Sequence, residues 1–251
     1  MRPLKEQSMI RVLVWNENYH EQKNERVRAI YPDGMHNTIA GFLRCDDITV
    51  RTATLDDEHN GITKEVLDET DVLIWWGHVC HGQVSDEAAA LVKQAVQDGM
   101  GAIFLHSAHH SKPFRALLGT SCNLTWRESN DSEVLWVVEP AHPITQGIDR
   151  YFILPHEETY GEPFVIPTPD KLLLLGSYSG GEAFRSGCLF ERGNGKIFYF
   201  QPGHETFPTF HDKNVQAIVR NAVRFVAPTC RLNVSCPHVR KITDEGPYVR
   251  D

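Results

Sequence analysis

The sequence of 251 residues contains thirteen histidines, and most of them lie beside acidic, polar or aromatic residues that follow short apolar runs. In chain order, these groups are residues 16–20, His78 and His81, residues 106–110, residues 156–160, and His204 with Glu205. Histidine and glutamate exchange protons near neutral pH, and the same side chains bind divalent metal ions. The residue types therefore predict proton-transfer chemistry, a metal site or both.

Apolar runs and amphipathic stretches alternate through the first half of the chain. The alternation predicts strands at 9–15, 48–53, 72–76 and 102–105, with helices at 35–44 and 63–69 and a helix that begins after Ser85 and ends near Gly99. Four such units predict an α/β fold with a doubly wound, flavodoxin-like, mostly parallel sheet and helices on both faces. Because ligands bind at the carboxyl ends of the strands in such sheets, the histidine groups are expected to converge on one edge.

The second half has a different pattern. Strands are predicted at 133–138, 151–154, 171–176, 187–192 and 196–201 without long helices between them, followed by an amphipathic helix at 212–226. These strands are expected to add an antiparallel section or an extended edge to the sheet. No repeat or clear linker interrupts the chain, so a single domain is predicted over 1–251, with its core at 9–226 and a polar tail at 227–251.

Composition excludes several classes of protein. The formal net charge is −8, which argues against a nucleic-acid partner because such a surface needs a basic stripe. No apolar run fits a signal peptide or a membrane span, so a cytoplasmic protein without a membrane partner is predicted, with a homo-oligomer as the default state. The six cysteines form no CxxC pair and are expected to be reduced, although a Cys230–Cys236 bridge stays open for an oxidising compartment.

The order of elements resembles the class I glutamine amidotransferase-like fold. In that fold a cysteine nucleophile lies on a strand–elbow–helix turn, and a later strand ends in a His-x-Glu pair. Here the corresponding residues 104–109 read FLHSAH, and the later strand is followed by His204 and Glu205. The elbow cysteine and its glycines are absent, which speaks against a glutamine amidotransferase.

The chain more closely resembles the ThuA-like (trehalose-utilisation) family, a branch of that fold. The matching segments, which span most of residues 9–226, are residues 76–78, 105–107, 142–144, 157–160 and 193–204. The family usually has Asp-Glu-x-Tyr in the fourth segment, where this chain has Glu157 in the first position. The resemblance implies a role in disaccharide or sugar metabolism and leaves the reaction open.

The first hypothesis is therefore an enzyme that acts on a small carbohydrate or a keto-sugar derivative by proton transfer beside a carbonyl. The expected catalytic residues are His106, Glu158 and His204. The expected substrate-binding residues are Asn16, Trp76, His78, Ser107 and Tyr160. A divalent metal ion such as zinc would be held by ligands drawn from His20, His106, His156 and His204, one of them in an outer shell.

Two other hypotheses stay open. The chain could be a non-catalytic sugar-binding or assembly protein, or Cys80 could serve as a nucleophile just beyond a strand end. Simpler interpretations apply to other residues: His36, His59 and His238 are expected on the solvated surface and His142 in a turn. Trp75 and Trp76 point to opposite faces of the sheet, so one is expected in the core while the other could line the pocket.

Overall fold

The computed structural model describes residues 9–231 and contains nine strands and seven α-helices in that range. The strands are β1 (Ile10–Asn16), β2 (Ile48–Thr54), β3 (Val72–Trp76), β4 (Gly101–Leu105), β5 (Thr125–Val137), β6 (Tyr151–Gly161), β7 (Lys171–Tyr178), β8 (Ala183–Arg192) and β9 (Gly195–Phe200). The helices are α1 (Tyr19–Lys23), α2 (Glu25–Ile30), α3 (Met35–Leu43), α4 (Lys64–Asp68), α5 (Asp86–Gln97), α6 (Lys112–Leu118) and α7 (Lys213–Val226).

All nine strands form one sheet in the order β2-β1-β3-β4-β9-β8-β7-β5-β6. The first five strands of this order pair in parallel, and the remaining four neighbouring pairs are antiparallel. The prediction of a mostly parallel sheet is thus correct for only half of it. A parallel pair needs a long crossover, usually a helix, whereas β7 to β9 follow one another through short turns and pair as hairpins.

Alternating side chains divide the parallel strands between two apolar layers. On one face, Val12, Val14, Ile74 and Ile103 pack with residues of α2, α3 and α7. On the other face, residues of the same strands pack with α4, α5 and α6. Strands buried on both faces are continuously apolar, which explains why β3 and β4 have that pattern.

The two long helices begin where the sequence provides a capping side chain. Ser85 Oγ accepts the backbone N–H of Ala88 at the start of α5, and Asp212 Oδ1 accepts two backbone N–H groups at the start of α7. Each cap satisfies donors that lack a partner in the first turn. Both boundaries agree with the predicted helices.

The two adjacent tryptophans lie on opposite faces, and both belong to the core. Trp75 stacks on Trp15 with ring centroids 3.8 Å apart. Trp76 is fully buried, and its indole N–H donates to the carbonyl of Gly203 at 2.9 Å. Trp76 was predicted as a substrate-binding residue, but it lies in the core and has no exposed surface.

Two histidines predicted to have simple roles differ in their placement. His36 is buried rather than solvated, because the start of α3 lies under the end of β1 and brings the ring 3.0 Å from the Asn16 side-chain nitrogen. His142 lies at the turn where it was predicted and accepts the backbone N–H of Ile144. His59 is exposed as expected, and His238 lies outside the described residues, as does Cys236 of the possible bridge.

Within residues 9–231, no helix has both the length and the apolar character that crossing a membrane requires.

Candidate active site

Four parallel strands end in one row and define the edge that carries the site. The register pairs Asn16 with Trp76, Trp76 with Leu105, and Leu105 with Phe200. The residues that follow these ends are therefore neighbours across the sheet although they are distant in the chain. This agrees with the predicted convergence of His78, residues 106–110 and His204.

A buried carboxylate fixes the turn that carries His78. Glu17, directly after β1, accepts the backbone N–H groups of His78, Val79 and Cys80 at 2.7, 3.0 and 3.0 Å. Because one carboxylate accepts three backbone N–H groups, the turn has little conformational freedom. The backbone position from which the His78 imidazole projects is therefore fixed.

The antiparallel half supplies two further carboxylates, Glu157 and Glu158. Strand β6 is at the far end of the sheet, yet Glu157 on it accepts the backbone N–H groups of Gly203 and His204, both at 3.1 Å, beyond the end of β9. Thr209 Oγ donates to the same carboxylate at 2.8 Å. The antiparallel half therefore curls back over the carboxyl edge of the parallel half.

The next residue of β6 forms a buried pair with the end of β4. Glu158 Oε2 lies 2.9 Å from His106 Nε2, and the side chains are 3% and 0% exposed. The other ring nitrogen of His106, Nδ1, faces the carbonyl oxygen of Gln201 at 2.8 Å. Tyr160 stacks on the ring, with centroids 4.9 Å apart. Because both ring nitrogens face acceptors, the imidazolium is the form that satisfies both contacts.

The electrostatics of this pair agree with its geometry. Burial lowers the pKa of His106, but the close contact with Glu158 and its negative charge outweigh burial and raise that pKa to about 9. Burial acts to raise the pKa of Glu158, and the neighbouring imidazolium nevertheless holds it below its usual range. The pair is thus an ion pair at neutral pH. His106 also has a φ of 52°, a left-handed conformation uncommon outside glycine.

A second carboxylate faces three imidazoles. Glu205 Oε2 lies 3.2 Å from His78 Nδ1 and 3.7 Å from His204 Nε2, and Glu205 Oε1 lies 3.6 Å from His20 Nδ1. His78 and His20 also approach each other, with 3.2 Å between Nδ1 of His78 and Nε2 of His20. Burial would raise the pKa of Glu205, but these histidines hold it far below its usual range.

A cavity of about 540 Å³ opens over these residues. Its lining combines charged, neutral polar and apolar side chains: His20, His78, Val79, His81, Ser107, His109, His110, Asn123, Leu124, Trp126, Glu128, Glu158, Tyr160 and Glu205. The volume is within the range of small-molecule sites. Trp126 is 66% exposed and forms an apolar rim at the mouth.

Other histidines of the cavity are uncharged at neutral pH. Burial lowers the pKa of His81 to about 4 and that of His109 to about 3. Nδ1 of His109 faces the carbonyl oxygen of Cys122 at 2.7 Å, so that nitrogen carries the proton and Nε2 is left as an acceptor. This part of the wall offers neutral hydrogen-bonding groups.

All of the predicted site residues except His156 fall into three groups. Those that line the cavity are His20, His78, Ser107, Glu158 and Tyr160. His106 and His204 are buried just behind the lining, where His106 pairs with Glu158 and Nδ1 of His204 lies 2.9 Å from Thr206 Oγ1. Asn16 and Trp76 lie below the cavity and support the turns above them; Asn16 donates to Glu21 at 2.6 Å.

His156 is the predicted metal ligand that the structure places elsewhere. It is exposed on β6 with its ring near Phe207, and it belongs to no cluster of metal-ligating side chains in residues 9–231. The predicted strand ended at residue 154, but β6 continues to Gly161. The pairing of β6 with β5 shifts register between Leu154 and Glu157, and residues 155 and 156 of this irregular segment are both exposed.

Several contributors were missing from the predicted site. Trp126, Asn123, Leu124 and Glu128 line the cavity from a polar segment for which no element was predicted. Trp126, the single aromatic residue of that segment, was the one sequence feature that could have indicated a ligand-binding surface there. Glu17 and Glu205 belong to the predicted strand-end groups but were not named as site residues. The buried carboxylate of Glu17 accepts the backbone N–H of His78, and that of Glu205 faces the His78 imidazole.

The cysteine alternatives find no support in the geometry. None of the side chains that line the cavity within the described part of the chain is a cysteine. Cys80 is buried, and burial raises the pKa of its thiol, which disfavours the reactive thiolate. His106 occupies the position after β4 at which the amidotransferase resemblance would expect a nucleophile.

A family model described as trehalose utilisation, ThuA, matches residues 11–226. The chain belongs to the ThuA family. This confirms the resemblance inferred from residues 76–78, 105–107 and 193–204. No curated protein gives a significant match to this ThuA protein.

Solved structures support the same fold. A ThuA-like protein from Bacteroides uniformis has a TM-score of 0.65 at 17% identity, covering 90% of this chain and 95% of that one. A ThuA-like protein from Parabacteroides merdae has a TM-score of 0.61 at 13% identity, with 90% and 93% covered. A GMP synthase subunit from Thermoplasma acidophilum has a TM-score of 0.55 at 14% identity, with 87% and 94% covered. The ThuA protein therefore has an amidotransferase-like fold.

Proposed function

We propose that this ThuA protein is an enzyme that moves protons on a sugar or keto-sugar derivative, with Glu158 as the base that touches the substrate. The observation that carries the proposal is the buried contact of 2.9 Å between Glu158 Oε2 and His106 Nε2. Glu158 lines the cavity whereas His106 does not, so His106 acts through Glu158 as a positioning residue. This revises the expectation that His106 would itself be catalytic.

The reaction that fits best is removal of a proton from a carbon beside a carbonyl. The Glu158 carboxylate takes the proton, the electron pair of the C–H bond moves into the new C=C bond, and the carbonyl oxygen gains the negative charge. If the hydroxyl proton on the deprotonated carbon moves to the enolate oxygen and Glu158 returns its proton to the former carbonyl carbon, the result is isomerisation. If the carbonyl re-forms and a leaving group on the next carbon departs with its bonding electron pair, the result is elimination. The positive charge of His106 keeps Glu158 ionised before the proton arrives.

The cavity wall supports a carbohydrate. Tyr160, Leu124 and Trp126 offer apolar surface on which a sugar ring can pack, and neutral His81 and His109 can hydrogen-bond to hydroxyl groups. The description of the matched family as trehalose utilisation points to the same class. A neutral, hydroxyl-rich ligand is favoured because few unpaired charges face the cavity.

Hydrogen–deuterium exchange in D₂O tests the proposal. The protein is incubated with ketoses, aldoses and keto-disaccharides, and NMR follows deuterium entering the carbon next to the carbonyl. We expect exchange with at least one sugar, and a loss of about 10²- to 10⁴-fold in Glu158→Gln, the usual contribution of a general base. His110→Gln, which removes an exposed imidazole of the same cavity, is the matched control.

Two results would contradict the proposal. Exchange that is undiminished in Glu158→Gln would remove Glu158 from the chemistry. Sugar binding without exchange in any member of the panel would favour the alternative of a non-catalytic sugar-binding protein. Calorimetric titration with the same sugars distinguishes that alternative, because it measures binding without turnover.

A further inference from the structure

A compact cluster of ligand-type side chains stands beside the proton-transfer pair. We name His20, His78 and Glu205 the imidazole–carboxylate cluster. One nitrogen or oxygen atom from each lies within 4.8 Å of the other two. The side chains of His20 and His78 are 18% and 20% exposed and line the cavity, whereas Glu205 is 4% exposed. A solute entering the cavity can therefore reach both imidazoles.

Hydrogen bonding does not satisfy this cluster. Nδ1 of His78 faces Nε2 of His20 and Oε2 of Glu205, each at 3.2 Å. A ring nitrogen carries either one proton or one lone pair, so it cannot satisfy both neighbours. Oε2 of Glu205 is buried and receives no well-directed hydrogen bond, which is costly for a carboxylate oxygen.

The separations match those between ligands that share a metal ion. Bonds of about 2.0–2.1 Å at tetrahedral angles put neighbouring ligand atoms about 3.3 Å apart. Nδ1 of His78 lies 3.2 Å from Nε2 of His20 and 3.2 Å from Oε2 of Glu205. The third contact, at 3.6 Å, joins the other ring nitrogen of His20 to the other oxygen of Glu205. The two separations at His78 Nδ1 therefore fit ligand atoms that are held by one ion.

We propose that His20, His78 and Glu205 bind one divalent transition-metal ion of the zinc class, with an open coordination position that faces the cavity. Two histidines and one carboxylate are a ligand set used by catalytic metal sites. The set shares only His20 with the ligands predicted from the sequence. Of the others, His106 uses both ring nitrogens in contacts with Glu158 and Gln201, and His156 lies outside the cavity lining.

The ion would lie next to the proposed base. A second group of ligand-type atoms, from His78, Glu158 and His204, shares His78 with the cluster. When bound, such an ion polarises a carbonyl oxygen or lowers the pKa of a bound water. The metal site is independent of the proposed reaction, since metal binding is measured without substrate.

Metal titration tests the site directly. The full chain is stripped with a chelator, dialysed and titrated with Zn²⁺ against a chromophoric competitor, and Co²⁺ is added separately to record visible absorption. We expect one equivalent of Zn²⁺ and a Co²⁺ spectrum of low coordination number. His78→Gln and Glu205→Gln should each weaken Zn²⁺ binding more than about 100-fold, because even outer-shell changes cost about 10- to 100-fold.

Two variants keep the test specific. His110→Gln removes a cavity imidazole outside the cluster and should bind Zn²⁺ as the original chain does. Glu158→Gln removes the proposed base and should still bind one equivalent, so failure of the metal site and failure of the proton-transfer proposal are distinguishable. Circular dichroism of every variant checks that it is folded.

Either of two results would overturn the site. The first result is that the unsubstituted protein binds Zn²⁺ no more tightly than the double variant His78→Gln/Glu205→Gln does. The other is an affinity lowered equally by His110→Gln and by the cluster substitutions. If the Glu205 variants do not fold, His20→Gln applies the same criteria at a partly exposed position.

Discussion

The parallel and antiparallel halves of the sheet contribute different chemistry to the site. The parallel half provides strand ends and turns, which carry His20, His78 and His106. The antiparallel half provides one strand, β6, from which Glu157 and Glu158 project onto the same edge. The His106–Glu158 pair takes one residue from each half, so this pair exists only where the second half curls over the first.

The largest effect is expected from breaking the junction between the halves. Glu157→Ala removes the acceptor for the backbone N–H groups of Gly203 and His204 and for Thr209 Oγ, leaving these buried donors unpaired. We expect the free energy of unfolding to fall by about 3–5 kcal/mol. Urea denaturation followed by fluorescence measures the change.

The control for this junction lies on the same strand. His156→Ala alters an exposed residue of β6 and should change the free energy of unfolding by less than about 0.5 kcal/mol. A Glu157→Ala variant as stable as His156→Ala would show that the contacts of Glu157 do not hold the two halves together.

A smaller effect is expected from pH, through the pair that joins the halves. The pKa of His106 is raised to about 9 in the folded chain and is about 6.5 when unfolded. The folded state therefore holds this proton more tightly. The resulting stability is complete below pH 6.5 and is lost as the pH rises through about 9. The expected loss over that window is a few kcal/mol, measured by urea denaturation at several pH values.

The variant Glu158→Gln isolates this contribution. Burial raises the pKa of Glu133 to about 8, so that group titrates in the same window in both proteins. The difference between the two pH profiles therefore reports on the pair. Profiles that run parallel from pH 6 to 9 would contradict the assigned ion pair.

A change within the parallel half should act mainly on the site. Glu17→Gln replaces one acceptor oxygen by an amide that cannot accept the N–H groups of His78, Val79 and Cys80 together. We expect the free energy of unfolding to fall by about 1–3 kcal/mol. Amide exchange at residues 78–80 should become faster, and unchanged protection there would show that Glu17 does not fix this turn.

The smallest effect on stability is expected at the rim that the antiparallel half provides. Trp126→Ala removes an exposed ring, so the free energy of unfolding should change by less than about 0.5 kcal/mol. KM for the sugar identified by deuterium exchange should rise about 10-fold with kcat retained, because the lost contact is common to bound substrate and transition state. Trp136→Ala, on the same strand, is the control, and equal KM values in both variants would remove Trp126 from substrate binding.

The same division explains how far the sequence could predict this molecule. The parallel half has local signals: apolar runs, a Ser85 cap, and strand ends that the register must align. Its histidines were therefore placed on the correct edge. In the antiparallel half, the polar segment that begins at Thr125 does not look like a strand, although pairing with β6 makes it one.

The errors within the site have the same origin. His106 and Glu158 were both expected at the catalytic centre, but their direct contact joins strands that are far apart in the sheet, and no local spacing encodes it. Trp76 was expected to bind substrate because it points to the face opposite Trp75, but its indole N–H donates to the carbonyl of Gly203 beneath the edge. Long-range curling of the sheet, rather than local propensity, decided which predicted residues face the cavity.

The three N–H groups gathered by Glu17 have a consequence for binding kinetics. The Glu17 carboxylate already fixes the turn at residues 78–80 in the folded protein. This turn therefore loses little conformational entropy when a ligand binds at His78, because its backbone was ordered during folding. Association at this wall of the cavity can then proceed without a slow rearrangement of the backbone. Its rate should be governed by diffusion into the cavity and by displacement of solvent from the imidazoles.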